Sequence, residues 1–100
     1  MATSLLDKIK TSIRVTGIIF DEAEVEPLME AARAELKLAG VLAEKVDGET
    51  PAALAYVAIM MYVKGNFGLN NPDAAAYKKS FEDLKQTMSL SAEYTVANNV

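Results

Sequence analysis

The side chains best suited to chemistry in this sequence fall into three groups. Glu22, Glu24, Glu26 and Glu30 form an acidic run. Glu22 and Glu26 are four apart, as are Glu26 and Glu30, so a helix places them on one face. Carboxylates at that spacing can hold a hard cation through oxygen. The same charges also suit the positive end of a helix dipole, and a solvated helix start is the plainer meaning. The stretch "KGNFG" at 64–68 has the glycines of a phosphate loop. It lacks the spacing of one and follows a helical pattern instead of a strand. It reads as a helix C-terminus, where Lys64 meets the negative dipole end and a glycine takes positive φ. Lys78, Lys79 and Lys85 give a modest basic face that Glu82 and Asp83 dilute, which reads as a solvated surface.

What is missing narrows the chemistry further. The chain has no cysteine and no histidine. That removes disulfides, Cys-ligated zinc and thiol nucleophiles, along with the commonest general base. Serines and threonines occur singly, with no histidine to activate them. No enzyme activity, metal or cofactor is therefore expected. Net charge is −4. An acidic chain gains nothing from neutralising phosphates, so general nucleic-acid binding is not expected. With 51% hydrophobic and 24% charged residues, the 100 residues read as one ordered domain.

Turn and cap signals divide the chain into about four helices, an all-α bundle. Ser4 caps the first, with Asp7 three residues on, and Leu5, Leu6, Ile9 and Ile13 make its stripe. The segment "VTGIIF" reads as an extended apolar connector. The second helix has Asp21 as cap, Glu24 three residues later, and Phe20 and Val25 at the spacing of a hydrophobic staple. Pro27 falls late in its first turns and predicts a small irregularity. Its inner stripe is Val25, Leu28, Met29, Ala32, Leu36 and Ala39, and Gly40 ends it. "VLAEKVDGET" reads as a loop. Thr50 caps the third helix with Pro51 at its first position, and Asn71 with Pro72 repeats that arrangement for the fourth. Tyr77, Phe81, Leu84 and Met88 stripe the fourth helix, which runs to about Leu90. Residues 91–100 lack helical periodicity and read as a tail or arm.

The third helix is unusually apolar. Leu54, Tyr56, Val57, Ile59, Met60, Met61, Tyr62 and Val63 occupy every azimuth. The charge-free run Pro51–Val63 rises only about 20 Å as a helix, short of the ~30 Å of a bilayer core, so no membrane span is expected. The opening "MATSLLDKIK" has no apolar h-region, so no secretory signal is expected either. Two meanings remain for the apolar helix. It is the central helix of the protomer, or it also shows a face to another subunit. Tyr56, Met60, Met61 and Tyr62 suit the second, since Met and Tyr are enriched at interfaces.

The segment "YVKGNFGLNNPDAAAYKKSFEDLKQTMSLSAEY" resembles the small head–tail connector (head-completion, DNA-packaging) proteins of tailed phages and prophages. The pattern is carried by Tyr62, Val63, Lys64, Asn66, Phe67, Gly68, Asn71, Pro72, Tyr77, Phe81, Leu84, Leu90 and Ser91. "LLDKIKTSIRVTG" and "AARAELKLAGV" are similar to the family's first helix and the end of its second. The resemblance spans nearly the whole chain, and "TVANNV" departs from it. It implies an all-helical protomer of a closed ring, dodecameric in the virion, with a heterologous interface. The implied partners are further copies of itself, the portal protein, and a head-closure or tail protein. The implied place is the virion head–tail junction, after assembly in the host cytoplasm. DNA would pass through the ring without specific binding. Under that reading Ile18, Ile19, Tyr56, Met60, Met61, Tyr62 and Tyr94 are the candidate subunit or portal contacts. The competing reading is a small helical regulator or inhibitor acting by protein–protein binding. A DNA mimic would need a dense carboxylate surface, and 14 acidic against 10 basic residues make a poor one.

Overall fold

The computed structural model describes residues 4–97. Its elements are α1 (Leu5–Thr16), α2 (Glu22–Leu38), α3 (Ala43–Val46), α4 (Ala53–Gly65), α5 (Ala74–Ser89) and α6 (Ala92–Thr95). Among the described residues there is no strand, as the all-α reading expects. Four helices carry the fold, and α3 and α6 are single turns. The body measures 46 × 34 × 18 Å, two helix diameters thick in its short direction.

The expected stripes meet in one core. Leu5, Ile9 and Ile13 of α1 join Val25, Met29, Ala32 and Leu36 of α2, Ala55, Ala58, Ile59 and Val63 of α4, and Phe81 and Met88 of α5. Burying one such large aliphatic or aromatic side chain contributes about 1.5–3 kcal/mol. The helix α4 is the hub. It packs most closely on α5, then on α2, and it also touches α1 and α3.

Local chemistry sets most helix ends. Ser4 Oγ accepts from the Asp7 N–H at 3.1 Å, and Asp21 Oδ1 accepts from the Ala23 N–H at 2.9 Å. Pro27 sits inside α2 and leaves the Ala23 carbonyl without its helical partner. Ala23 and Pro27 are both exposed, so that end of the helix faces solvent. At the far end Gly40 has φ 102°. Its N–H bonds to the Lys37 carbonyl while the Val41 N–H bonds to that of Leu36. This double bond is a Schellman ending, and it tucks Val41 into the core.

Five boundaries differ from the sequence reading. First, α1 continues through Val15 and Thr16 until Gly17, at φ 78°, closes it by donating to the Arg14 carbonyl. Only Ile18–Phe20 remain as connector. Second, the expected loop contains α3, with Val46 buried beneath it. Long-range bonds hold this segment. Arg33 Nη2 donates to the Gly48 carbonyl at 2.6 Å, and Glu49 Oε1 accepts from the Leu5 N–H at 2.7 Å.

Third, α4 begins at Ala53, after the expected Thr50–Pro51 start. The Ala52 N–H is committed to the Lys45 carbonyl, which holds the backbone extended. Fourth, Asn71 does not cap α5. Its Nδ2 donates to the Lys64 carbonyl at 2.8 Å and to that of Phe67, sealing the end of α4 instead. In that turn neither Gly65 nor Gly68 takes positive φ. Asn70 does, at 50°, and its Nδ2 bonds to the Gly17 carbonyl across the molecule. Fifth, the segment read as a tail forms α6 and buries Tyr94. The Leu42 N–H donates to the Tyr94 carbonyl, and the Tyr94 hydroxyl accepts from the Leu54 N–H. Residues 98–100 lie outside the described residues.

Candidate interaction surfaces

The three chemical clusters of the sequence do not converge. In the acidic run, Glu22 pairs with Arg14 and Glu30 with Arg33. Among the described residues no group of three or more carboxylates could hold a metal ion. Lys79 pairs with Asp83, and Lys85 with both Glu82 and Glu35, as a solvated, self-neutralised face should. No described helix is long and apolar enough to cross a membrane.

What the surface does offer is uncovered apolar area. The helix α4 is not buried all round. Ala53, Val57, Met60 and Lys64 recur at helical spacing on one side, opposite the buried Ala55–Ile59 side. Val57 is 38% exposed, and Met60 is half-buried. Tyr56 flanks this strip beside a groove of about 440 Å³ shared with Lys8, Thr11 and Ser12 of α1. Met61 is half-buried.

Lys64 closes the strip and is itself 8% exposed. Burial lowers its pKa below the ordinary value of 10.5. Its Nζ stands over the Tyr77 ring, 5.6 Å from the centroid.

A second patch lies where the α1–α2 connector meets the α4–α5 turn. The rings of Phe20 and Phe67 pack at 5.7 Å. Above them a groove of about 380 Å³ is lined by Ile19, Asp21, Glu24 and Leu69. Ile19 is 57% exposed, and Leu69 more so. The sequence reading had paired Phe20 with Val25 on spacing alone, and Phe67 was not foreseen as its neighbour.

A smaller cleft of about 230 Å³ lies between α4 and α5, lined by Tyr62, Asn66, Lys78, Phe81 and Glu82. The Tyr62 ring meets Phe81 edge-on at 4.9 Å. Burial, and then the neighbouring Glu35 carboxylate, raise the Tyr62 pKa above its ordinary 10.0. Lys85 is raised above 10.5, chiefly by its hydrogen bond to Glu82. Lys85, Glu82 and Glu35 form an ionic cluster beside this cleft.

The described residues form a compact helical body with apolar patches on its surface. A family model described as Phage connector protein matches residues 5–95. The chain belongs to the phage connector protein family. No curated protein and no solved structure matches it.

As a connector, the chain has a role in the phage particle and contacts with other head or tail proteins. Its seven expected contact residues are placed unevenly. Ile19 is exposed, and Tyr56, Met60, Met61 and Tyr62 are half-buried around α4. Ile18 and Tyr94 are buried within the protomer, where Ile18 joins the core and Tyr94 anchors α6. Sequence reasoning passed over the enclosure of Lys64. The lysine followed an apolar run directly, which was the available signal, but the covering Tyr77 ring lies thirteen residues away.

Proposed function

We propose that the chain is a non-catalytic structural subunit of a closed ring at the head–tail junction, between the portal and a head-closure or tail protein. The ring completes the head and lengthens the DNA channel. The observation that carries this reading is the match to the connector family over nearly the whole chain. The surface supports it. A ring subunit needs sticky faces on more than one side. The α4 strip with Val57 and Met60 is one, and the Ile19–Leu69 patch is another. Tyr56, Met61 and Tyr62 widen the first. Ile18 and Tyr94 act from inside, holding the connector and α6 where their exposed neighbours can meet a partner. DNA passes without being gripped, in keeping with the net charge of −4.

A phage lacking this gene tests the role. Its heads should fill with DNA and then fail to take tails, and supplying the chain in trans should restore infectivity. Normal yields of tailed, infectious particles from the deletion would refute the proposal.

A further inference from the structure

We propose that the groove between the α1–α2 connector and the α4–α5 turn docks a segment of another head or tail protein, one that brings a large apolar side chain flanked by lysine or arginine. The inference rests on the connector reading above and adds the place and the chemistry of one contact.

The groove is built before any partner arrives. Phe20 and Phe67 form its floor, and Ile19 and Leu69 stand on its two walls. The walls come from segments 53 residues apart in sequence, and Asn70 Nδ2 joins them by donating to the Gly17 carbonyl at 3.0 Å. Asn71 Nδ2 fixes the turn itself through the Lys64 and Phe67 carbonyls. A site held in this way needs little ordering when a ligand enters. Covering the exposed Ile19 and Leu69 side chains supplies the drive for docking.

Charge decides what covers them. Asp21 and Glu24 line the groove, and no lysine or arginine does. Neither carboxylate makes an ion pair among the described residues. Arg14 stands over the Phe20 ring, but Glu22 already neutralises it. Two uncompensated carboxylates outweigh the roughly half-unit positive end of the α2 dipole. An apolar floor with a carboxylate rim selects an apolar side chain that has cations beside it and repels an acidic segment.

A second copy of this chain fits less well. Its exposed Val15 lies next to Arg14, and its exposed Leu38 next to Lys37. Both cations are already paired, with Glu22 and Asp47. The exposed Val96 shares its surroundings with Lys45 and also with Glu93. Two copies meeting groove to groove would set carboxylate against carboxylate. The occupant is therefore a different protein with a basic, apolar segment.

The chain has no cysteine, so Leu69→Cys carries a single benzophenone-maleimide. The labelled chain is added to purified DNA-filled heads that lack it, followed by purified tails. The particles are irradiated, and the cross-linked peptides are sequenced by mass spectrometry. In parallel, Ile19→Asp, Glu24→Gln and Glu24→Lys are measured for binding to the heads and then to the tails, at low and high salt, with circular dichroism melts of each variant. The expected capture is a portal, head-closure or tail-protein segment of net positive charge. Ile19→Asp should weaken one of the two binding steps by about thirty-fold or more, as loss of an apolar anchor does. Glu24→Lys should weaken the same step more than Glu24→Gln, with a loss that shrinks at high salt. Capture of a second copy of this chain, or of a segment without net positive charge, would overturn the proposal. So would particles that contain the labelled chain and give no cross-link, or Glu24→Lys binding as tightly as the parent at low salt. A parent chain that binds neither heads nor tails would overturn the connector reading, and this contact with it.

Discussion

Replacing Gly65 probes a close helix contact. Gly65 is the last residue of α4, at its crossing with α5. A Cβ built there meets Lys78 Cγ at 2.9 Å, the Lys78 backbone nitrogen at 3.2 Å and the Ala74 carbonyl oxygen at 3.4 Å. The first contact is with an exposed, flexible side chain and relaxes easily. The other two are backbone, and relieving them means moving α5. Its φ is not positive, so alanine meets no backbone strain there.

Two effects then compete. Alanine gains about 0.5–1 kcal/mol over glycine through helix propensity and lost unfolded-state freedom. Overpacking a close contact costs about 1–3 kcal/mol. The cost wins, and Gly65→Ala should lose about 1 kcal/mol. For a domain of this size that lowers Tm by about 4–8 °C. Gly65→Val should lose more. Gly68→Ala is the control, because a Cβ there meets nothing within 4 Å. Thermal melts followed by circular dichroism read all three. A Gly65→Ala protein as stable as the parent, or more so, would refute the claim that α4 and α5 require a bare backbone at their crossing.

Other positions give independent tests. Tyr94→Phe removes the hydroxyl that accepts from the Leu54 N–H and should cost about 0.5–1.5 kcal/mol, while Tyr94→Ala also empties its buried site and should cost about 3–5 kcal/mol, both read by denaturant unfolding. Arg33→Ala strips the Gly48 carbonyl of its donor and should cost about 1–3 kcal/mol, with faster amide exchange across residues 42–50. Tyr62 should ionise above its ordinary 10.0 in a tyrosinate absorbance titration, read as the difference between the parent and Tyr62→Phe. Its folded pKa is raised, so its contribution to stability is complete below 10.0 and is lost as pH climbs through the folded value. Tyr62→Phe should flatten the fall in stability above that pH, and an unchanged alkaline profile would argue against the burial beside Glu35.

The sequence carried whatever depends on neighbours along the chain. Ser4 and Asp21 cap as their spacing promised, Gly40 turns α2 back as a C′ glycine does, and the stripes of α1, α2 and α5 face the core. Most of the errors came from contacts that spacing along the chain does not reveal, while the late end of α1 is set locally by Gly17. Nothing near Glu49 shows that it would cap α1, 44 residues away. Asn71 beside Pro72 has the form of a helix start, and only the fold aims its amide back at the end of α4. A lone Tyr94 cannot give a periodic signal, so α6 read as a tail until the pocket for that ring was visible. For the surface, composition marked α4 as too apolar for its length. It could not show which strip stays uncovered, because that depends on where α1, α2 and α5 lie against it.

The most direct test of the connector account is the native mass of the purified chain, measured by light scattering after size exclusion over a wide concentration range, alone and with the portal assembly. The account predicts a mass many times the 10.8 kDa protomer, either free in solution or as a saturating load of one chain per portal subunit. A mass of one protomer at every concentration, together with a portal whose mass does not change, would contradict it.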